Sequence, residues 1–307
     1  MSLKDEIIKL KKEKNAVILA HCYQNIEIDE IADFVGDSLY LSKQAAKTNA
    51  DIIVFAGVYF MAQSAKLLSP NKKVLLPNMN SGCLMSDMID IDNLREFKSQ
   101  YPNIPVVCYI NSTAEVKAEC DICCTSSNAV EIVKSLNSDK VLFVPDTYLG
   151  KWVEKNLDGV KIITFNGFCP THLRIRTTDI ELARKNYPDA LILVHPECHT
   201  EVSKMADFVG STKEIMEYAK DSRHKQFVIC TEKGVVERLQ RDNDLYNWNK
   251  EFILINPNIV CPNMKQNSLE DIYNVLLKEN NEININPEIA QKAVVSLDKM
   301  LNVRIGV

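Results

Sequence analysis

With 307 residues, of which 46% are hydrophobic, the chain has ample material for buried cores and is long enough for two or three domains. A formal net charge of −5 at pH 7 and the lack of a basic run argue against nucleic acid and anionic membranes as main partners. No apolar stretch approaches a membrane span, and residues 1–15 lack the apolar segment of a secretion signal.

The cysteine content bears on both location and chemistry. Ten cysteines in a chain with no export signal indicate reduced thiols in the cytoplasm, where metal binding or catalysis is a more common role than a disulfide. A dinucleotide-binding function has no support, because the sequence contains no GxGxxG or P-loop string.

Taken in chain order, the predicted elements repeat three times. A lysine-rich stretch, KKEK (11–14), is interpreted as the solvated face of an opening helix. Strand-like apolar runs follow in three sets of three: 16–23, 52–57 and 73–78; 106–113, 141–146 and 161–167; 191–198, 227–232 and 251–257. Helix-like spacing occurs at 28–35, 38–50, 59–68, 127–136, 148–157, 212–220 and 233–241. This alternation is typical of parallel sheets covered by helices on both faces.

Each set carries the same markers at nearly the same offsets. The first run of each set ends in or near a His or Tyr: His21, Tyr109 and His195. A hydroxyl lies seventeen residues after each of these: Ser38, Ser126 and Thr212. A cysteine follows the third run, 62, 60 or 66 residues after the first marker: Cys83, Cys169 and Cys261. The matching offsets predict three copies of one α/β unit, each with three strands.

The repeat defines the expected domain bounds. The three units are predicted at 1–85, 86–172 and 173–264, with connecting segments near 86–104 and 173–190. Two closing helices, at 268–280 and 287–302, lie in a segment (265–307) that we expect to pack back on the first unit.

The three repeated cysteines are the candidate metal ligands. Cysteine is often a small buried apolar residue, and five others fit that role because they lie in or beside strands or occupy Ala or Gly slots of the other units. These five are Cys22, Cys108, Cys120, Cys124 and Cys230, whereas Cys198 has no equivalent and stays unassigned. Equivalent cysteines of three repeated units can converge on one axis. They suit either zinc with a water ligand or a 4Fe–4S cluster with one open iron, and all-sulfur ligation with a vacant position favours the cluster.

The His, Tyr, Ser and Thr markers predict an anion-binding site. Ligands of parallel sheets bind at the carboxyl ends of strands, and helix N-termini attract carboxylate or phosphate. N-capping explains any one hydroxyl more simply, and the string Ser211–Glu214 resembles a capping box. Four further polar residues lie at the same strand ends: Tyr23, Asn111, His172 and Glu197.

Together these residues resemble the quinolinate synthase family. The resemblance runs from about residue 16 to 302 and is carried by HCYQ (21–24), GDS (36–38), GC (82–83), YINS (109–112), CTSSNA (124–129), GFCPTH (167–172), HPE (195–197), VGST (209–212) and CPNM (261–264). It implies three homologous three-layer αβα domains with parallel sheets, related by pseudo-threefold symmetry, with the active site at the centre.

The resemblance also implies a function. The implied reaction is the condensation of iminosuccinate with dihydroxyacetone phosphate to give quinolinate, phosphate and water in NAD biosynthesis. Implied ligands of a 4Fe–4S cluster with one open iron are Cys83, Cys169 and Cys261. Implied substrate-binding residues are His21, Ser38, Tyr109, Ile110, Asn111, Ser126, His195, Pro196, Glu197 and Thr212. Implied catalytic residues are Tyr23, Glu197, His21, His172 and His195. An enzyme that makes iminosuccinate from aspartate is the expected functional partner.

Three alternatives stay open at this point. They are another 4Fe–4S-dependent hydro-lyase acting on a small hydroxy-dicarboxylate, a non-enzymatic iron–sulfur sensor or electron carrier, and a zinc protein. The chain also departs from those family members that carry an extra cysteine near the last ligand. Here Met264 stands in that segment, so thiol-based regulation is not expected there.

Overall fold

The computed structural model of the chain describes residues 2–303; residue 1 and residues 304–307, the ends of the first predicted unit and of the closing segment, lie outside the described residues. The strands form three separate sheets of four. The first contains β1 (Ala16–His21), β2 (Phe34–Gly36), β3 (Ile52–Ala56) and β4 (Lys73–Leu75). The second contains β5 (Val106–Tyr109), β6 (Ile122–Cys124), β7 (Lys140–Val144) and β8 (Lys161–Thr164). The third contains β9 (Leu191–Val194), β10 (Phe208–Val209), β11 (Gln226–Cys230) and β12 (Glu251–Leu254).

All three sheets are parallel and share one strand order. These orders are β2-β1-β3-β4, β6-β5-β7-β8 and β10-β9-β11-β12. The inner strands are buried almost throughout, which explains why their sequences are unbroken apolar runs rather than alternating ones. The predicted α/β class, with parallel sheets flanked by helices, is confirmed.

Helices connect the strands and cover the sheets. In chain order they are α1 (Leu3–Glu13), α2 (Ser38–Lys47), α3 (Tyr59–Leu68), α4 (Ile91–Ser99), α5 (Ala114–Ala118), α6 (Ala129–Ser135), α7 (Thr147–Lys155), α8 (Thr177–Asn186), α9 (Thr200–Lys204), α10 (Thr212–Asp221), α11 (Lys233–Tyr246), α12 (Leu269–Lys278) and α13 (Pro287–Asn302). Among residues 2–303, no helix is both long enough and apolar enough to cross a membrane.

The prediction of three strands per unit was wrong, because each sheet has a short fourth strand at its edge. The segment 28–35, predicted to be helical, contains a 3₁₀ turn (Ile26–Glu30) followed by β2. These edge strands are only two or three residues long and are half-buried in the first and third sheets, so they produce no apolar run.

An aspartate fixes each edge strand to its neighbour. The carboxylate that precedes the edge strand accepts a hydrogen bond from a backbone N–H of the adjacent inner strand in all three sheets. The pairs are Asp33 Oδ2 with Ile18 N (2.8 Å), Asp121 Oδ2 with Val106 N (2.7 Å) and Asp207 Oδ2 with Ile192 N (2.7 Å). The recurrence of one contact in three sheets supports the interpretation of the chain as three copies of one unit.

The closing helices contact different parts of the molecule. Helix α12 packs on α1, and its Ile272 joins the core under the first sheet with Ile7 and Ile18. Helix α13 lies against α3 of the first set of elements and also against α5 and β6 of the second. Its Ser296 Oγ donates to the Lys117 carbonyl at 3.1 Å, which ties this helix to α5.

Candidate active site

One cavity lies where the carboxyl ends of strands from all three sheets meet; we call it the site cavity. Thirteen of the residues predicted to act in binding, catalysis or metal ligation line it: His21, Tyr23, Ser38, Cys83, Tyr109, Asn111, Ser126, Cys169, His172, His195, Glu197, Thr212 and Cys261. Ile110 and Pro196 are buried next to lining residues but are not part of the cavity wall that the structure describes.

Glu197 is the electrostatic centre of the site cavity. The Tyr109 hydroxyl donates to Glu197 Oε1 at 2.5 Å, and His172 Nδ1 lies 2.8 Å from Oε2. Burial acts to raise the pKa of this carboxyl, but His172, His195 and the Tyr109 hydroxyl outweigh it and lower the pKa to about 2. Burial and the charge of Glu197 raise the pKa of Tyr109 well above its usual value. At neutral pH the site therefore holds a carboxylate beside a protonated phenol.

A hydrogen-bonded chain of hydroxyls joins Tyr23 to this centre. The Tyr23 hydroxyl lies 2.8 Å from Thr212 Oγ1 and 2.9 Å from Thr231 Oγ1. Thr231 Oγ1 in turn lies 2.8 Å from His172 Nε2. Burial raises the pKa of Tyr23 well above its usual value, so its hydroxyl stays protonated at neutral pH. The sequence interpretation did not identify Thr231, although it ends the same kind of strand run as the predicted markers.

His21 and His195 are neutral donors with matching geometry. The Nδ1 of His21 accepts from the Tyr23 backbone N–H at 3.2 Å, and that of His195 accepts from the Glu197 N–H at 3.3 Å. Burial lowers the pKa of both imidazoles to about 3, with Arg238 adding to the effect on His21 and His172 to that on His195. Because Nδ1 is an acceptor in each ring, Nε2 carries the hydrogen and can donate to an anion.

The marker hydroxyls are not the helix caps. Helix α2 is capped by Asp37, which accepts from the Tyr40 N–H at 2.8 Å, so Ser38 lies inside the first turn. Helix α10 is capped by Ser211 in a capping box, so the same holds for Thr212. Because neighbouring residues do the capping, these two hydroxyls can serve a ligand at the start of each helix.

The three repeated cysteines share the site cavity and are partly buried. Within residues 2–303, the only three Cys, His, Asp or Glu ligand atoms within 4.8 Å of one another belong to Cys169, His172 and Glu197. At least one pair among the sulfur atoms of Cys83, Cys169 and Cys261 is thus more than 4.8 Å apart. A tetrahedral zinc ion with bonds of about 2.3 Å places its sulfur ligands roughly 3.8 Å apart. The three thiols are therefore not arranged as the ligands of one tetrahedral zinc ion.

The cysteines interpreted as structural are not part of the described wall of the site cavity. Cys22, Cys108, Cys124 and Cys230 are fully or almost fully buried. Cys120 is half-buried at the end of α5, where its thiol donates to the Val116 carbonyl at 3.2 Å. The unassigned Cys198 is also buried, and its thiol donates to the Cys230 carbonyl at 3.6 Å.

Comparison with known proteins identifies the family. The family model described as quinolinate synthetase A protein matches residues 5–302. The chain belongs to this family. Three relatives, each named quinolinate synthase, show how close the match is. The protein of Alkaliphilus metalliredigens is 54% identical over 98% of both chains, that of Caldicellulosiruptor bescii 50% over 97% of both, and that of Clostridium perfringens 47% over 98% of both.

Family membership confirms the resemblance drawn from the sequence strings. The chain is an enzyme of the quinolinate synthase family, which acts in NAD biosynthesis. Its Cys169–His172–Glu197 group is compatible with metal binding.

Proposed function

We propose that the chain condenses iminosuccinate with dihydroxyacetone phosphate in the cytoplasm, giving quinolinate, phosphate and water. The observation that carries this proposal is the site cavity itself, which brings three cysteines together with neutral histidines, hydroxyls and the Glu197 carboxylate. Names of relatives that match over nearly their full length support the same reaction.

The cofactor proposed for this reaction is one 4Fe–4S cluster. Cys83, Cys169 and Cys261 would hold it, because all three line the site cavity and are partly buried. When bound with one iron free of protein ligands, such a cluster supplies a Lewis acid that polarises a carbonyl or hydroxyl oxygen of the substrate.

The chain's own residues would bind the substrate anions without a fixed positive charge. No arginine or lysine contributes to the described wall of the site cavity. Carboxylate and phosphate oxygens would accept from the Nε2–H groups of His21 and His195 and from nearby hydroxyls and amides. Those further donors are Ser38, Asn111, Ser126 and Thr212. Binding by preorganised neutral donors in a buried site needs no desolvation of a cation.

Proton transfers would use the hydrogen-bonded chain around Glu197. Its carboxylate is ionised and can accept a proton, and the Tyr109 hydroxyl that it binds can donate one. His172 links Glu197 to Thr231 and so to Tyr23 on the opposite side. These groups lie within hydrogen-bond reach of one another, which is the geometric requirement for general acid–base catalysis.

In the proposed architecture, each of the three units contributes its own substrate-binding residues to the site cavity. The three units are proposed at 1–85, 86–172 and 173–264, each contributing one sheet, one hydroxyl marker and one cysteine. An upstream enzyme that oxidises aspartate to iminosuccinate is the proposed functional partner, because an imine of this kind hydrolyses readily in water.

An anaerobic assay tests the proposed function. Cluster-reconstituted protein is supplied with dihydroxyacetone phosphate and freshly generated iminosuccinate, and quinolinate is measured. We expect product that depends on both substrates and on the cluster. Lack of product in a sample whose cluster is intact would overturn the proposed reaction and favour a hydro-lyase that acts on a single hydroxy-dicarboxylate.

A further inference from the structure

Two buried acidic residues near the cysteines, of which Glu232 also lines the site cavity, have no role in the function proposed so far. Asp146 and Glu232 are both 0% exposed. Asp146 lies shortly after the end of β7 and is the N-cap of α7. Glu232 lies shortly after the end of β11 and is the N-cap of α11. They therefore occupy equivalent places in the second and third sheets.

Glu232 binds the backbone of a candidate cluster ligand. Its Oε1 accepts from the Cys261 backbone N–H at 3.2 Å, while its Oε2 accepts from the Gly234 N–H at 2.6 Å. A Cβ at Gly234 would lie 2.9 Å from Oε2 and 2.7 Å from the Cys22 carbonyl, so only glycine permits this approach. The carboxylate is thus held between the helix start and the loop that carries Cys261.

Asp146 has the corresponding position toward Cys169. Its Oδ1 accepts from the Leu149 N–H at 2.6 Å, and its Oδ2 is buried without a hydrogen-bond partner among the described residues. Burial and the nearby Glu197 raise the pKa of Asp146 well above its usual value.

The backbone beside Asp146 fixes the Cys169 loop in the same region. The Thr147 N–H donates to the Gly167 carbonyl at 2.8 Å, and the Gly167 N–H donates to the Pro145 carbonyl at 3.1 Å. A Cβ at Gly167 would lie 2.6 Å from that carbonyl oxygen, so a side chain there would push the Gly167 segment away from the Pro145 segment.

The first sheet lacks an acidic residue at the equivalent place. Helix α3 is capped by Val58, which has no side-chain hydrogen bond to offer. The loop that leads to Cys83 is held by neutral groups instead: Ser81 Oγ donates to the Gly57 carbonyl at 2.6 Å, and the Ser81 carbonyl accepts from the Tyr59 N–H at 2.8 Å. A buried acidic N-cap beside the loop that carries the cysteine is therefore found in two of the three sheets.

We propose that Glu232, through the Cys261 N–H, and Asp146, at the equivalent place in the backbone that holds the Cys169 loop, are positioning residues that retain the cluster, an inference that rests on the ligation proposed above. Because a buried carboxyl holds the Cys261 N–H, the backbone of this loop is fixed before a cluster binds. Partners behind metal ligands typically change metal affinity by 10–100-fold when they are replaced. Nearby charge and hydrogen bonding also set the reduction potential of iron–sulfur clusters.

Release of iron to a chelator tests this role in the holoenzyme. Asp146→Asn and Glu232→Gln keep the size of each side chain and one acceptor oxygen. We expect each variant to release iron about 10–100-fold faster than the wild type under anaerobic conditions. We also expect a changed electron paramagnetic resonance spectrum of the reduced cluster. Asp90→Asn is the matched control, because Asp90 caps α4 by the same contact, to the Asn93 N–H at 2.8 Å, on the exposed surface.

The outcomes separate this inference from the proposed function. Release rates and spectra like those of the wild type in both variants, or changes no larger than those of Asp90→Asn, would overturn the positioning role. A wild-type protein that takes up no iron–sulfur cluster would overturn the proposed cofactor, and this inference with it. An unfolding measurement on the cluster-free protein shows whether Asp146→Asn folds. If it does not, the results for Glu232→Gln alone decide whether the positioning role holds.

Discussion

At the scale of single residues, the site depends on one carboxylate held by two different donors. Glu197 accepts from Tyr109 on one oxygen and faces His172 with the other, and the side chain is almost fully buried. An ionised carboxylate in such surroundings is stable only while both partners remain. The same arrangement lets a proton pass between the phenol, the carboxylate and the imidazole.

Glu197→Gln tests whether this carboxylate transfers protons. The amide has the same shape but cannot accept a proton, so we expect the cluster and fold to persist while turnover falls about 10²–10⁴-fold, the usual contribution of a general acid or base. Quinolinate formation and iron content are measured on the same sample. Glu201→Gln is the control, because Glu201 is an exposed glutamate paired only with Lys204 at 2.8 Å. Near-normal turnover of Glu197→Gln would remove Glu197 from the acid–base role.

At the scale of elements, the strands and helices that long apolar runs and repeated offsets encode could be predicted from the sequence. The inner strands and α3 were predicted from such runs, and α3 was predicted at its observed bounds. The edge strand β2 was missed, because three half-buried residues paired by backbone hydrogen bonds leave no side-chain pattern.

Residues of the site were predicted where they recur as markers of the repeat or lie at the ends of the first runs and in the strings that resemble the family, and three residues outside these places were missed. Thr231, Asp146 and Glu232 follow inner strands, but the first unit has Gly57 and Val58 at the corresponding places. Their roles depend on contacts with loops that are distant in sequence, such as that of Glu232 with Cys261. A local sequence pattern does not predict such contacts.

Gly150→Ala tests how closely α7 must approach its sheet. A Cβ at Gly150 would lie 2.6 Å from Thr164 Cγ2 and 3.1 Å from Phe143 Cδ1, so the helix that Asp146 caps would have to move outward. Overpacking costs about 1–3 kcal/mol, and the better helix propensity of alanine returns about 1 kcal/mol. We expect a net loss of up to about 2 kcal/mol in the free energy of unfolding by urea. Lys151→Ala, an exposed neighbour on the same helix, should change it little, and equal stability of the two variants would contradict the close packing.

At the scale of the whole molecule, a buried ion pair joins the 3₁₀ turn between β1 and β2 of the first sheet to α11, which connects β11 and β12 of the third. Arg238 on α11 donates to Asp29 Oδ1 at 2.5 Å and to the Gln24 carbonyl at 3.2 Å, and Arg241 donates to Asp29 Oδ2 at 2.6 Å. The side chain of Arg238 is 1% exposed and that of Arg241 is 44% exposed. We therefore expect the two arginines to contribute very differently to the free energy of unfolding, although they share one carboxylate.

Asp29→Asn should destabilise the molecule far more than Arg241→Gln. Removing the carboxylate leaves Arg238 as a buried cation without its partner, which typically costs about 3–5 kcal/mol. Loss of Arg241 removes only a solvent-exposed pair, worth about 0–1 kcal/mol, and leaves the buried one intact. Urea unfolding of the cluster-free proteins measures both, and hydrogen exchange at residues 24–30 should rise in Asp29→Asn alone. Glu232 caps α11 and accepts from the Cys261 N–H, so loosening the contact of this helix with Asp29 should also speed iron release from the holoenzyme. Equal destabilisation by the two variants would show that the contact between the units does not depend on the buried pair.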